Sequence, residues 1–134
     1  MAQIIPSGAW PANMTFQTAT IASGAAISEM IPTQGRALVG IFTPAAWTAA
    51  AIGYKVGWSG NDAEMYNAYD SSGNLEQTKV STDAAAASVF IAIPTSDAIF
   101  APYIKLTSVT AASTTGVNQD AARTLVLVFR TFLS

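Results

Sequence analysis

The stretch RTLVLVFRTFLS (residues 123–134) has the length and composition of a β-strand, but it is apolar on both faces. In an extended strand, alternate side chains point to opposite faces. One face carries Leu125, Leu127 and Phe129. The other carries Val126, Val128 and Phe132, with Arg130 among them. An antiparallel sheet commonly leaves one face in water, so we expect this second face to be covered. The cover is either a segment of the same chain or another subunit.

A period of two recurs along the rest of the chain and predicts an all-β protein. The alternating segments are TFQTATIA (15–22), RALVGIF (36–42), AIGYKVGW (51–58), ASVFIAIP (87–94) and YIKLTS (103–108). In RALVGIF, strict alternation places Ala37, Val39 and Ile41 opposite Leu38, Gly40 and Phe42. Turn residues separate these segments, as in SGND and DSSGN. We therefore predict an antiparallel, jelly-roll-like β-sandwich over residues 15–134.

Residues 1–14 differ from the rest and are predicted to form an extended N-terminal arm. Pro6 and Pro11 prevent a regular central strand. Ile4, Ile5 and Trp10 are too apolar for a free tail. The arm either lies across its own sandwich or packs on a neighbouring subunit, and the sequence leaves both alternatives open.

The composition excludes several kinds of chemistry. The 134 residues include no Cys and no His, which rules out disulfides and a Ser-His-Asp triad within the chain. Only 10% of the residues are charged, and the net charge is −2, so we expect no nucleic-acid partner. No apolar run is long enough for a membrane-spanning helix, and the N-terminus lacks the features of a secretory signal.

The remaining polar clusters are interpreted as turns. Asp62, Glu64 and Asp70 fall in SGNDAEMYNAYD, where Asn, Asp and Gly favour turn geometry; a hydrolase using Asp62 and Asp70 is a minor alternative. DSSGNLE (70–76) departs from the EF-hand pattern and fits a tight turn with Gly73 at positive φ. We therefore predict no catalytic residue, no metal site and no cofactor.

Aromatic side chains raise the possibility of sugar binding. Trp58 continues an alternating strand and is predicted to be part of the core, and Trp47 is predicted to anchor a loop. Tyr66 and Tyr69 are the candidates for an exposed aromatic patch.

Two segments carry a resemblance to a known group of proteins. ALVGIFTPAAWTAAAIGYKVGWSGNDAEMYNAYDSSGN (37–74) and APYIKLTSVTAASTTGVNQDAARTLVLVFR (101–130) resemble small structural proteins of tailed bacteriophages. The resemblance implies a β-sandwich in the phage particle, made in the bacterial host cytoplasm. Within this group it favours the head decoration (cement) proteins, which often form trimers on the capsid surface. Val117, Asn118 and Gln119 then form a turn-setting element.

This resemblance implies a non-enzymatic protein that binds the major capsid protein at the surface of the phage head and forms a homotrimer. The apolar arm and the second face of the last strand are the expected oligomer or capsid interface: Ile4, Ile5, Trp10, Val126, Val128 and Phe132. The alternative function is a carbohydrate- or receptor-binding module of a tail fibre or baseplate.

Overall fold

Two antiparallel sheets pack face to face in the computed structural model of the chain, which confirms the predicted β-sandwich. The structure describes residues 13–79, 85–93, 99 and 101–131. Residues 1–12 of the predicted arm therefore lie outside the described residues. The first strand begins at Met14, the last residue that the sequence analysis assigned to the arm.

The described residues form nine strands and one short 3₁₀ turn. The strands are β1 (Met14–Ile21), β2 (Ile31–Pro32), β3 (Ala37–Phe42), β4 (Ala51–Gly57), β5 (Met65–Asn67), β6 (Gln77–Thr78), β7 (Phe90–Ala92), β8 (Tyr103–Val109) and β9 (Arg123–Arg130), and the 3₁₀ turn is Asp62–Glu64. The Ala-rich segment PAAWTAAA, for which either a helical turn or a loop was expected, is a loop that leads into β4. Within it the Trp47 indole Nε1 donates to the Ala50 carbonyl (3.1 Å), and Trp47 packs against the core as the predicted anchor.

The strands pair in the nested order of a jelly roll. One sheet has the order β1-β9-β3-β7, and the other has β2-β8-β4-β5 with β6 also paired to β4. The first strand thus pairs with the last, and the second pairs with the last but one. Two interlocked Greek keys of this kind define the jelly roll, so the predicted jelly-roll-like architecture is confirmed.

The core lies between the two sheets and is built from alternate positions of the long strands. From β9 the fully buried side chains are Leu125, Leu127 and Phe129, as the alternation predicted. Ile104 and Leu106 of β8 and Ile52 of β4 face them from the second sheet. Burying a side chain of this size contributes about 1.5–3 kcal/mol, which makes these strands the main source of stability.

Strict alternation fails in β3. Leu38 pairs with Phe129 and Gly40 pairs with Val128, so the register skips Val39. This β-bulge returns both Leu38 and Ile41 to the core, whereas strict alternation placed them on opposite faces. The prediction for this strand was therefore wrong, because the added residue shifts the alternation by one position.

Candidate functional site

The outer face of the sheet β1-β9-β3-β7 is largely apolar at its centre. The register places Phe16, Val128, Gly40 and Ala92 in one row across the four strands. The neighbouring row consists of Thr18, Val126, Phe42 and Phe90. Together with Met14, the large apolar side chains of this face form what we call the outer patch: Met14, Phe16, Phe42, Phe90, Val126 and Val128.

Two phenylalanines dominate the accessible part of the outer patch. Phe42 is 43% exposed and Phe90 is 49% exposed, and their ring centroids are 4.6 Å apart. The Phe90 ring lies over Gly40, where a Cβ atom would collide with it. The absence of a side chain at Gly40 thus leaves the space that the Phe90 ring occupies.

The predicted interface residues of β9 lie on this face. Val126 is half-buried, whereas Val128 is already buried within the chain and can contribute little further area to a contact. Ile4, Ile5, Trp10 and Phe132 lie outside the described residues. The alternation within β9 predicts this face, but the contributions of Phe42 and Phe90 depend on which strands lie beside β9, and that order is not visible in any single strand.

The outer face of the second sheet is more polar. Lys55 of β4 lies directly opposite Lys105 of β8, and Lys105 forms an ion pair with Asp62. Asp62 is mostly exposed, so this ion pair contributes little to stability. The two outer faces therefore differ in character: one carries paired lysines, and the other carries a cluster of aromatic and aliphatic side chains.

The carboxylates considered for catalysis have structural contacts. Glu64 accepts a hydrogen bond from the Ser59 hydroxyl (2.6 Å). Asp70 Oδ1 accepts from the backbone amides of Ser72 (2.9 Å) and Asn74 (2.8 Å), and Gly73 has a φ of 84°. The tight turn expected at DSSGN is thus confirmed. Within the described part of the chain, no cluster of three metal-ligating side chains occurs.

Three aromatic side chains project into solvent at the ends of the second sheet. Trp58 is 67% exposed, and Tyr66 and Tyr69 are each 58% exposed. The prediction that Trp58 belongs to the core was wrong. β4 ends at Gly57, one residue before Trp58, so the alternation that buries Ile52 and Tyr54 no longer places it between the sheets.

Gln119, predicted only as part of a turn, is buried, and its side-chain amide hydrogen-bonds to several separate segments. Its Nε2 donates to the Ser108 hydroxyl (2.8 Å) and the Thr48 carbonyl (3.1 Å). Its Oε1 accepts from the Thr48 amide (2.9 Å) and from Nε of Arg123 (3.2 Å). A buried amide with both ends satisfied fixes the relative positions of the groups it joins, which here are two loops and two strands.

Tyr54 is a buried titratable group whose pKa is shifted. Burial raises the pKa of Tyr54 above its usual value of 10, while the hydrogen bond with Thr78 acts in the opposite direction. The phenol therefore remains neutral in the folded protein at pH values where an exposed tyrosine ionises.

In the described ranges, no helix is long and apolar enough to cross a membrane. Comparisons with family models, with curated proteins and with solved structures found no match to this chain.

Proposed function

We propose that this chain is a non-enzymatic structural protein of a tailed-phage particle, and specifically a head decoration protein. In this role it forms a homotrimer and binds the major capsid protein on the outside of the phage head, after synthesis in the host cytoplasm. Attachment stabilises the shell because the protein binds the assembled lattice in preference to its separate subunits.

The outer patch is the observation that carries this proposal. A sheet face with two adjacent phenylalanines, both more than two-fifths exposed, is costly to leave in water. Exposed apolar clusters of this kind commonly mark contacts with other proteins. Val126 extends the patch towards β1, and Arg130 is the charged side chain on the same face of β9. Arg130 lies at the end of β9, and the two central rows of the face carry no charged side chain. The centre of the face can therefore meet another apolar protein surface without burying an unpaired charge.

The fold is compatible with the proposal. Jelly rolls occur in viral capsid proteins and also in lectins. The shared fold is an analogy and does not determine function, so the support for this role comes from the outer patch. A low charge content, at 10% of residues, also suits a protein whose surface is partly covered in an assembly.

Binding to capsid shells tests the proposed role. We expect the full chain to co-sediment with empty shells of the phage that encodes it. Deleting residues 1–12 should lower the bound fraction at least tenfold, because these residues contain the apolar side chains of the predicted arm. This deletion leaves β1 complete, since β1 begins at Met14.

Far-ultraviolet circular dichroism of the deletion variant provides the folding control. A folded variant that binds shells as well as the full chain would exclude the arm as the attachment element. Failure of the full chain itself to bind shells would contradict the decoration role.

A carbohydrate- or receptor-binding module of a tail fibre or baseplate is the second candidate. The solvent exposure of Trp58, Tyr66 and Tyr69 favours it. Aromatic side chains with an apolar ring and a polar edge are well suited to binding at a wet surface.

A further inference from the structure

A groove of about 600 Å³ lies beside Tyr69, between the hairpin turn 70–74 and the loop 110–115. Its volume is within the range of small-molecule binding sites. The side chains of Tyr69, Asn74, Lys79, Ser113 and Thr114 line it.

Both walls of the groove are held in place by their own hydrogen bonds. On the hairpin side, Asp70 exchanges backbone and side-chain bonds with Asn74, with distances of 2.8 Å. On the loop side, the Thr110 amide donates to the Thr115 carbonyl (3.0 Å), and the Ser113 amide donates to the Thr110 carbonyl (3.1 Å). Each wall is thus a closed turn with a defined shape.

Gln77 fixes the distance between the two walls. This β6 residue lies at the base of the groove, where its Nε2 donates to the Ser113 carbonyl (2.8 Å) and its Oε1 accepts from the Ala112 amide (2.7 Å). The loop is therefore tied to the strand that follows the hairpin. A site with this support is formed before a ligand arrives, which lowers the entropic cost of binding.

The lining chemistry matches a sugar. Tyr69 offers an aromatic face, 58% exposed, against which the apolar face of a sugar ring can pack. Asn74, Ser113 and Thr114 supply amide and hydroxyl groups for sugar hydroxyls. Lys79 is exposed and is the charged side chain among the described lining residues, so it can pair with an anionic substituent.

We infer that this groove binds an acidic saccharide, with Tyr69 as the stacking platform and Lys79 as the partner of the acidic group. The inference rests on the second candidate function and is independent of assembly through the outer patch. It identifies the site and the ligand class that a receptor-binding role would use.

The depression beside Trp58 and Tyr66 differs from this groove and serves as an internal control. It measures about 250 Å³, and Val56, Gly57, Ala101 and Pro102 complete its lining. Its wall offers few polar side chains that could hydrogen-bond to sugar hydroxyls. Tyr66 is as exposed as Tyr69, so the two tyrosines form a matched pair.

The test uses the full chain on a printed array of neutral and acidic oligosaccharides. We expect selective binding to acidic oligosaccharides, with Tyr69→Ala reducing the affinity at least tenfold and Tyr69→Phe retaining it. Lys79→Gln should reduce binding to acidic oligosaccharides about fivefold, because one charge-assisted contact is lost. The Tyr66→Ala variant should bind acidic oligosaccharides with the same affinity as the unmodified chain.

The possible failures are distinguishable. An array without any bound oligosaccharide overturns both the site and the second candidate function. If Tyr66→Ala abolished saccharide binding and Tyr69→Ala did not, the groove beside Tyr69 would be excluded as the site, whereas the second candidate function would stand. Equal binding of neutral and acidic oligosaccharides, unchanged by Lys79→Gln, overturns the assignment of an acidic ligand.

Discussion

At the scale of single residues, polar groups inside the sandwich were the least predictable from sequence. Gln119 was assigned to a turn from the pattern TTGVNQD, but its side chain joins Thr48, Ser108 and Arg123. These partners are 71, 11 and 4 residues away, respectively. The contacts with Thr48, 71 residues away, and with Ser108 on a separate strand depend on the fold and are not visible in a local sequence pattern. Gly73, by contrast, was predicted correctly because a tight turn depends on neighbouring residues alone.

Tyr54 gives a pH-dependent prediction at this scale. Its pKa is raised by burial, so below pH 10 the phenol is protonated in both the folded and unfolded states. Above pH 10 the unfolded chain loses this proton and the folded chain retains it. The free energy of unfolding should then fall by up to ~1.4 kcal/mol per pH unit from this group.

Urea denaturation between pH 7 and pH 11 measures the effect. Tyr54→Phe should cost about 1 kcal/mol at pH 7, because the hydrogen bond with Thr78 is lost, and its stability should fall less steeply above pH 10. The exposed Tyr66→Phe variant is the control and should follow the unmodified chain. If the free energy of unfolding fell equally steeply with pH above 10 in Tyr54→Phe and in the unmodified chain, Tyr54 would ionise as an exposed tyrosine does.

At the scale of secondary-structure elements, strands with uninterrupted alternation were predicted well. The inward side chains of β8 and β9 are those that the period of two selects. The prediction failed in β3, where the bulge at Val39 shifts the register, and beyond the end of β4, where Trp58 leaves the sheet. Bulges and strand ends depend on pairing with neighbouring strands, which a single segment does not encode.

The position of Gly40 in β3 gives a prediction at this scale. In Gly40→Ala the new Cβ atom would collide with the Phe90 ring, so β7 or the ring has to move. We expect a loss of at most about 1 kcal/mol in the free energy of unfolding, measured by urea denaturation, because the collision is with the far end of a half-exposed ring. The cost should be smaller when Phe90→Ala is the background, since the obstructing ring is then absent.

Gly60→Ala provides the matched control for this prediction. Its new Cβ atom would meet Tyr103 at an ordinary contact distance of 3.6 Å, so its stability should change little. An equal cost for Gly40→Ala in both backgrounds would exclude the contact with Phe90 as its cause.

At the scale of the whole molecule, we assign different roles to two separate surfaces. The outer patch is assigned to protein contacts, and the groove between the turn 70–74 and the loop 110–115 is assigned to the saccharide of the second candidate function. The apolar second face of RTLVLVFRTFLS was visible in the sequence. The sequence of this segment did not reveal that Phe42 of β3 and Phe90 of β7 complete the outer patch, because the order of the strands is a property of the whole fold.

The central claim is that the outer patch is a contact between subunits. Phe42→Glu places a charge in the patch. Ile27→Glu places a charge at a side chain of nearly equal exposure (44%, against 43% for Phe42) away from the patch, since the Ile27 backbone pairs with Thr107 in β8 of the other sheet. A buried unpaired carboxylate opposes association, so only the first substitution should affect the assembly.

The most direct measurement is sedimentation velocity of the unmodified chain and both variants at several micromolar concentrations. We expect a trimer, three times the 13.9 kDa chain mass, for the unmodified chain and for Ile27→Glu. We expect a folded monomer for Phe42→Glu. A monomeric unmodified chain at every concentration, or a Phe42→Glu variant that remains trimeric, would exclude the outer patch as the subunit contact.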